Sequence, residues 1–388
     1  VETGFRRLTA EALPLILADI EELVQCESPS LDRDAGIRSA DVVARIGELR
    51  LGSRPERLGV GAHQHLRWRF GNGPGRVLVL GHHDTVWPLG SLEAHPFSVL
   101  DGIIRGPGCF DMKTGVAMAF HAVAALAETD GVTVLITGDE ELGSPSSRAL
   151  IEDEARGCDA VFVLEGSADG GALKTARKGV SIYQLHAIGL AAHAGLEPEA
   201  GINAAVELAH QVIAIAALGD DRLGTSVTPT MLAAGTTTNT VPALGSIAVD
   251  VRMWNASEQQ RVDADIRALG PVVEGSRIEV SGGPNRPPLE ETASAGLFHR
   301  AVAIADDLGL PAPRPAAVGG ASDGNFTAGL GVPTLDGLGA VGGGAHADHE
   351  HVVVGEICDR TTLLAALMAD VLRESHPSGT ALATEVAP

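Results

Sequence analysis

Three short, largely apolar runs constrain this chain more than any other feature: Val77–Leu80, Val132–Thr137 and AVFVL at 160–164. Each is too short for a buried helix and stops at residue types that bind metals or protons, in GHHD, GDEE and EG respectively. Strands that are apolar on both faces belong in the middle of a parallel sheet. Strand, turn and helix recurring in this order predict a parallel α/β architecture, whose ligands collect outside the carboxyl ends of the strands.

The periodicity predicts scaffold helices at 8–25 and 37–49, a strand at 64–70 and a helix at 115–127 that follows the Gly-rich GPGCFDMKTG. From Lys178 the texture changes. Residues 180–188 alternate, 202–217 and 257–269 read as helices, and 226–234, 246–254 and 277–281 read as strands. A β, helix, β, β, helix, β order describes a small antiparallel sheet with two helices on one face. From 290 the earlier style returns, with a helix at 292–308, GGASDG, a strand near 332, GGGAHADHEH and a closing helix at 355–374. The expected organisation is one domain made of residues 1–178 and 288–388, with an α+β insert at 179–287. A chain of 388 residues is long for a single core, which agrees.

The 50 acidic against 28 basic residues give a formal charge of -22, which repels nucleic acid and anionic membrane surfaces. Four scattered cysteines without a CxxC pair indicate neither a zinc knuckle nor a disulfide framework. Together with a start that lacks signal-peptide regions, they predict a cytoplasmic protein. Because the sequence opens on Val1, export stays open as an alternative.

His82, Asp84, Asp111, Glu140, Glu141, Glu165 and His346 all lie at strand ends or in Gly-rich loops. Carboxylates gathered at one sheet edge repel one another unless cations compensate them. Two imidazoles among carboxylates suit zinc, cobalt or manganese, whereas an all-oxygen set would favour calcium or magnesium. A binuclear site with an unligated glutamate as general base is therefore expected.

The set GHHDTV, GPGCFDMKTG, TGDEELGS, VLEG, AAHAG and GAHADHEHV resembles the zinc exopeptidase family of glutamate carboxypeptidase, acetylornithine deacetylase, succinyl-diaminopimelate desuccinylase and aminoacylase, with the glutamate carboxypeptidase branch nearest. The resemblance runs from about residue 10 to 372. It implies the family's α/β fold with a mostly parallel central sheet, and a ferredoxin-like insert that serves as lid and dimerisation domain. It implies two zinc ions per subunit, one on His82, Asp111 and Glu165, the other on Asp111, Glu141 and His346. Asp84 would orient His82, and Glu140 would be the base. His349 and His351 are rivals to His346, but the family's ligand stands four residues before a glutamate, here Glu350. His193 resembles a lid histidine that polarises the scissile carbonyl in a partner subunit, with turn-capping as the alternative. Asn239, Arg252 and Arg286 match substrate-binding positions, the last only loosely. Ala321 in GGASD departs from a more usual triple glycine.

The implied activity is hydrolysis of an amide next to a free carboxylate, such as a C-terminal glutamate. An aminoacylase or deacylase of N-acyl amino acids is the second reading, and a non-catalytic metal-binding homologue the third. The expected partners are a small peptide or N-acyl amino acid and a second copy of the chain.

Overall fold

The apolar runs form the centre of a six-stranded sheet. Its order is Glu56–Val60, His63–Arg69, Val132–Thr137, Val77–His82, Ala160–Val163 and Thr334–Leu335. The last four run parallel, and the first two pair antiparallel at one edge. Every residue of Val77–His82 and Val132–Thr137 is buried, so both faces are covered. This computed structural model describes residues 4–73 and 75–374. It divides into one unit built from the chain up to Thr175, Thr292–Ala316 and Leu330 onward, and a second built from Ala176–Glu291 and Ala317–Gly329.

In the first unit, helices Leu13–Gln25, Arg33–Leu51, Thr114–Ala124 and Ile357–Glu374 cover the sheet. Ile16, Ile20, Val43, Phe120 and Leu367 are fully or almost fully buried in one cluster with the strand residues. Burial of each such side chain is worth about 1.5–3 kcal/mol. Trp68 meets Phe120 edge-on at 5.1 Å between ring centroids. The first helix starts at Leu13 and not at residue 8, because Pro14 takes the first turn, where its missing N–H costs nothing. The Leu8 N–H donates instead to Thr362 Oγ1 at 3.1 Å. The second helix is longer than periodicity alone suggests: Asp32 caps its start by accepting from the Ala35 N–H, and Gly52, at φ 68°, ends it.

The second unit is a four-stranded antiparallel sheet in the order Ser226–Ala234, Leu244–Met253, Gly179–Ile188 and Arg277–Arg286. Helices Ala204–Ala216 and Ala256–Arg267 supply Leu208, Ile215, Val262 and Ile266 to its core. The last strand reaches Arg286, past the expected 281, because a bulge between Pro284 and Arg286 lets pairing resume after a residue that cannot donate. Segment Ala317–Gly329 joins this unit through Asn325, whose Nδ2 donates to the carbonyls of Pro287 at 2.7 Å and Lys178 at 3.2 Å. Among the described residues, no helix is long and apolar enough to cross a membrane.

Candidate metal centre

The parallel register brings His82 opposite Thr137, so the turns that follow these two strands lie side by side. His82 closes one strand, Glu140 and Glu141 open the short turn Glu140–Leu142 after the next, and Glu165 follows the strand Ala160–Val163. Asp111 sits in the turn Cys109–Lys113, where the Asp111–Met112 peptide is cis. His346 comes from the late Gly-rich loop, with its backbone at φ 62°. All seven candidate residues, Asp84 included, belong to the first unit.

The two oxygens of Asp111 face different histidines. Oδ1 lies 3.3 Å from His82 Nε2, and Oδ2 lies 3.3 Å from His346 Nε2. Glu165 Oε1 stands 3.5 Å from His82 Nε2, and Glu141 Oε2 stands 3.2 Å from His346 Nε2. Donor atoms of His82, Asp111 and Glu141 lie within 4.8 Å of one another, as do those of His82, Glu140 and Glu165. Glu140 thus stands beside the histidine set, close enough to be either a donor atom or a base.

Five carboxylates crowd two imidazoles here. Burial works against charge on His82, but Asp111, Asp84 and Glu165 together raise its pKa well above the usual value. Asp111 and Glu141 push His346 up to about 10. Burial favours a neutral Asp111, yet His346 and His82 outweigh it and hold the carboxyl far below its ordinary range. Glu141 is raised, by burial first and also by Asp111. His82 Nε2 and Glu141 Oε1 are buried without a hydrogen-bond partner. A buried imidazole nitrogen and a buried carboxylate oxygen left over in one acid-rich cluster are what a divalent cation would satisfy. The donor set therefore fits metal binding.

Asp84 reaches further than His82. The His82 Nδ1 lies 3.0 Å from the Asp84 carbonyl and 3.4 Å from its carboxylate Oδ1. The same carboxylate accepts from the N–H groups of Glu140 and Glu141, both at 3.2 Å, and from Ser30 Oγ at 2.7 Å. It therefore fixes the turn that carries the base candidate. Asp139, the first acid of GDEE, is fully buried and accepts from Ser146 and Ser147 through both their amides and their hydroxyls. The serine pair in ELGSPSS was the available signal for this internal role.

His83 turns away from the cluster. Gln64 O can only accept, so His83 Nε2 carries the hydrogen at 3.0 Å, and Nδ1 accepts from Ser39 Oγ, also at 3.0 Å. Burial lowers this imidazole to about 4. The neighbouring Gly138 leaves room for the pair: a Cβ there would lie 2.6 Å from Gln64 O and 2.7 Å from His83 Nε2.

The remaining expected site residues lie in the second unit. Exposed His193 accepts at Nδ1 from the N–H groups of Gly195 and Leu196, at 3.1 and 3.2 Å, so it caps its turn and keeps its hydrogen on Nε2. Asn239 is exposed, and its carbonyl accepts from Ala194 N–H at 2.9 Å. Arg252 pairs with Asp250 at 2.8 Å. Arg286 is buried, lies over the Phe326 ring and donates to Asp323 Oδ1 at 3.1 Å. A carboxylate of the chain itself therefore already meets each of these two arginines. His349 and His351, the rivals to His346, are joined to each other, with His351 Nδ1 3.0 Å from His349 O.

Residues 78–370 match the profile of peptidase family M20/M25/M40. The chain is 29% identical over 375 residues to carboxypeptidase G2 of Pseudomonas sp. (strain RS-16), covering 92% of this chain and 89% of that protein. It is 28% identical over 346 residues to succinyl-diaminopimelate desuccinylase of Phenylobacterium zucineum, covering 82% and 89% respectively. Among solved structures, a dinuclear metal binding peptidase of the M20 family from Bacillus subtilis superposes with a TM-score of 0.62 at 16% identity, over 94% of this chain and 99% of that one.

Proposed function

The chain belongs to peptidase family M20/M25/M40, and from that premise we propose that it is a dimetal hydrolase cleaving an amide bond next to a free carboxylate, as a glutamate carboxypeptidase does. One observation carries the reading: Asp111 offers one oxygen to the His82 and Glu165 side and the other to the His346 and Glu141 side. This is the arrangement a bridging carboxylate needs, and zinc, with cobalt or manganese as substitutes, suits the mixed nitrogen and oxygen donors.

Two bound ions would supply Lewis-acid polarisation of the scissile carbonyl and acidify the attacking water. Glu140, held by Asp84 through its amide, takes the proton of that water on its carboxylate and returns it to the leaving amine. His193 keeps an Nε2–H suited to a carbonyl oxygen on which charge develops, and Asn239 adds an amide donor. Arg252 and Arg286 would bind a substrate carboxylate by exchanging Asp250 and Asp323 for it. A homodimer through the second unit is part of the proposal; it is supported by the edge strand Ser226–Ala234, which exposes Met231 and Leu232.

Glu140→Ala should still bind metal but lose about 10²–10⁴-fold in kcat. Near wild-type turnover in the pure variant would refute Glu140 as the base. Similarity to a desuccinylase over most of the chain favours a second reading, deacylation of N-acyl amino acids. A panel of glutamyl peptides and acetyl, succinyl and long-chain acyl amino acids, ranked by kcat/KM, separates the two.

A further inference from the structure

We propose that Glu350 is a positioning residue which locks Asp111 at its place between the two histidines, an inference that rests on the dimetal reading above. Glu350 is almost fully buried and spends both carboxylate oxygens on groups of the Asp111 turn and its surroundings. Oε1 accepts from the N–H groups of Phe110 at 2.8 Å and Asp111 at 3.0 Å. Oε2 accepts from the Gly108 N–H at 2.9 Å and the Trp87 indole N–H at 2.8 Å. Three consecutive-turn amides that would otherwise be orphans are thus gathered on one side chain. Gly108 allows it, because its backbone is at φ 69° and a Cβ would meet Thr85 Cγ2 at 2.5 Å.

Glu350 stands four residues after His346, and its own N–H closes a turn onto the Ala347 carbonyl at 2.8 Å. One hydrogen-bonded turn therefore follows His346 on one side and grips the Asp111 backbone on the other. The distance from Asp111 Oδ2 to His346 Nε2 is set through this carboxylate, with no direct contact between Glu350 and the donor atoms named above. Outer groups that hold metal donors in place commonly contribute about 10–100-fold in metal affinity. An amide is not a conservative replacement here. Glu350→Gln turns one acceptor oxygen into a donor that faces two N–H groups, so at least two of the four bonds are lost whichever way the amide points.

The test is titration of metal-free protein with Co²⁺ against a competing chelator, read by the visible absorption of the bound ion and by stoichiometry. Glu350→Gln should weaken binding at one or both sites by about 10–100-fold and change the Co²⁺ spectrum, with a wild-type circular dichroism spectrum at room temperature and an unfolding midpoint lowered by the buried N–H groups left without an acceptor. Trp87→Phe, which removes the one bond not made to the Asp111 turn, should leave affinity within about threefold. Two ions bound by Glu350→Gln with wild-type affinity and spectrum would overturn the proposal. Should that variant fail to fold, hydrogen exchange of the metal-free wild type decides instead. The Gly108, Phe110 and Asp111 amides should be strongly protected, and exchange at open-loop rates would overturn the clamp. A wild-type chain that binds no metal at all would sink the dimetal reading, whereas the exchange result speaks to the clamp alone.

Discussion

Exchange of Asp84 for asparagine keeps the volume of the side chain, turns one acceptor atom into a donor and removes the charge that faces His82. The carboxylate is buried and receives three hydrogen bonds beyond its approach to His82: Glu140 N–H on Oδ1, and Glu141 N–H and Ser30 Oγ on Oδ2. With the amide oxygen at the Oδ1 position, the new NH₂ faces the Glu141 N–H across 3.2 Å and Ser30 Oγ across 2.7 Å. Ser30 can adapt, because its hydroxyl hydrogen has the Thr85 carbonyl available at 3.2 Å and its oxygen can then accept. The Glu141 N–H cannot turn round, and a buried donor without an acceptor costs about 1–3 kcal/mol. The opposite amide orientation moves the same conflict to the Glu140 N–H. Urea unfolding of the metal-free protein should therefore show Asp84→Asn less stable by about 1–3 kcal/mol. Ser30→Ala, which leaves no orphan behind, should cost about 0.5–1.5 kcal/mol. Since the Glu140–Glu141 turn shifts with the lost bond, kcat should fall by about 10–100-fold, the usual range for groups that hold metal donors. The reasoning fails if Asp84→Asn unfolds within 0.5 kcal/mol of wild type, or if Ser30→Ala is the more damaging change.

Two further outcomes follow from the same region. His83 is held neutral with its imidazole lowered to about 4, while the unfolded chain titrates near 6.5. Its folded form therefore binds fewer protons, and its contribution to stability is intact above about pH 6.5 and lost as pH falls toward 4. The loss is about 3 kcal/mol at most, and His83→Asn should flatten that limb of a stability curve measured by urea unfolding. The same substitution at two glycines should have opposite signs. Gly138→Ala drives a methyl into the Gln64 carbonyl and His83 and should cost about 1–3 kcal/mol. Gly36→Ala, in the helix Arg33–Leu51 with nothing within 4 Å, should stabilise by about 0.4–1 kcal/mol; paired thermal melts compare the two.

Strand ends were legible because burial on both faces leaves a continuous apolar run, and the residues that break such a run gather at the carboxyl ends of the strands. Hence His82, Glu140, Glu141 and Glu165 could be picked from the letters around Val77–Leu80, Val132–Thr137 and AVFVL. The helices of the second unit were legible by the same periodicity. What periodicity does not carry is which carboxylate faces inward onto backbone. Asp139 and Glu140 are neighbours of one type, yet one is consumed by two serines and the other stands beside His82. Glu350 served in the sequence only as a spacing mark for His346, because the three amides it holds lie some 240 positions earlier and become visible only when the chain is folded. Arg286 matched a substrate-binding position only loosely in the sequence, and only the fold brings Asp323 to it.

The grip of Glu350 on Asp111 spans 239 residues, and that separation has a meaning in time as well as in space. At roughly 5–20 residues per second of synthesis, about 12–48 seconds pass between the emergence of Asp111 and that of Glu350. Before this interval ends His82, Asp111, Glu141 and Glu165 are all out of the ribosome, and the whole stretch from Ala176 to Glu291 has been made. The nascent chain then carries an acid-rich half-set whose turn is not yet fastened and whose second histidine does not yet exist. Completion of the centre therefore waits until the segment that carries His346 and Glu350 has been made, long after the Asp111 turn.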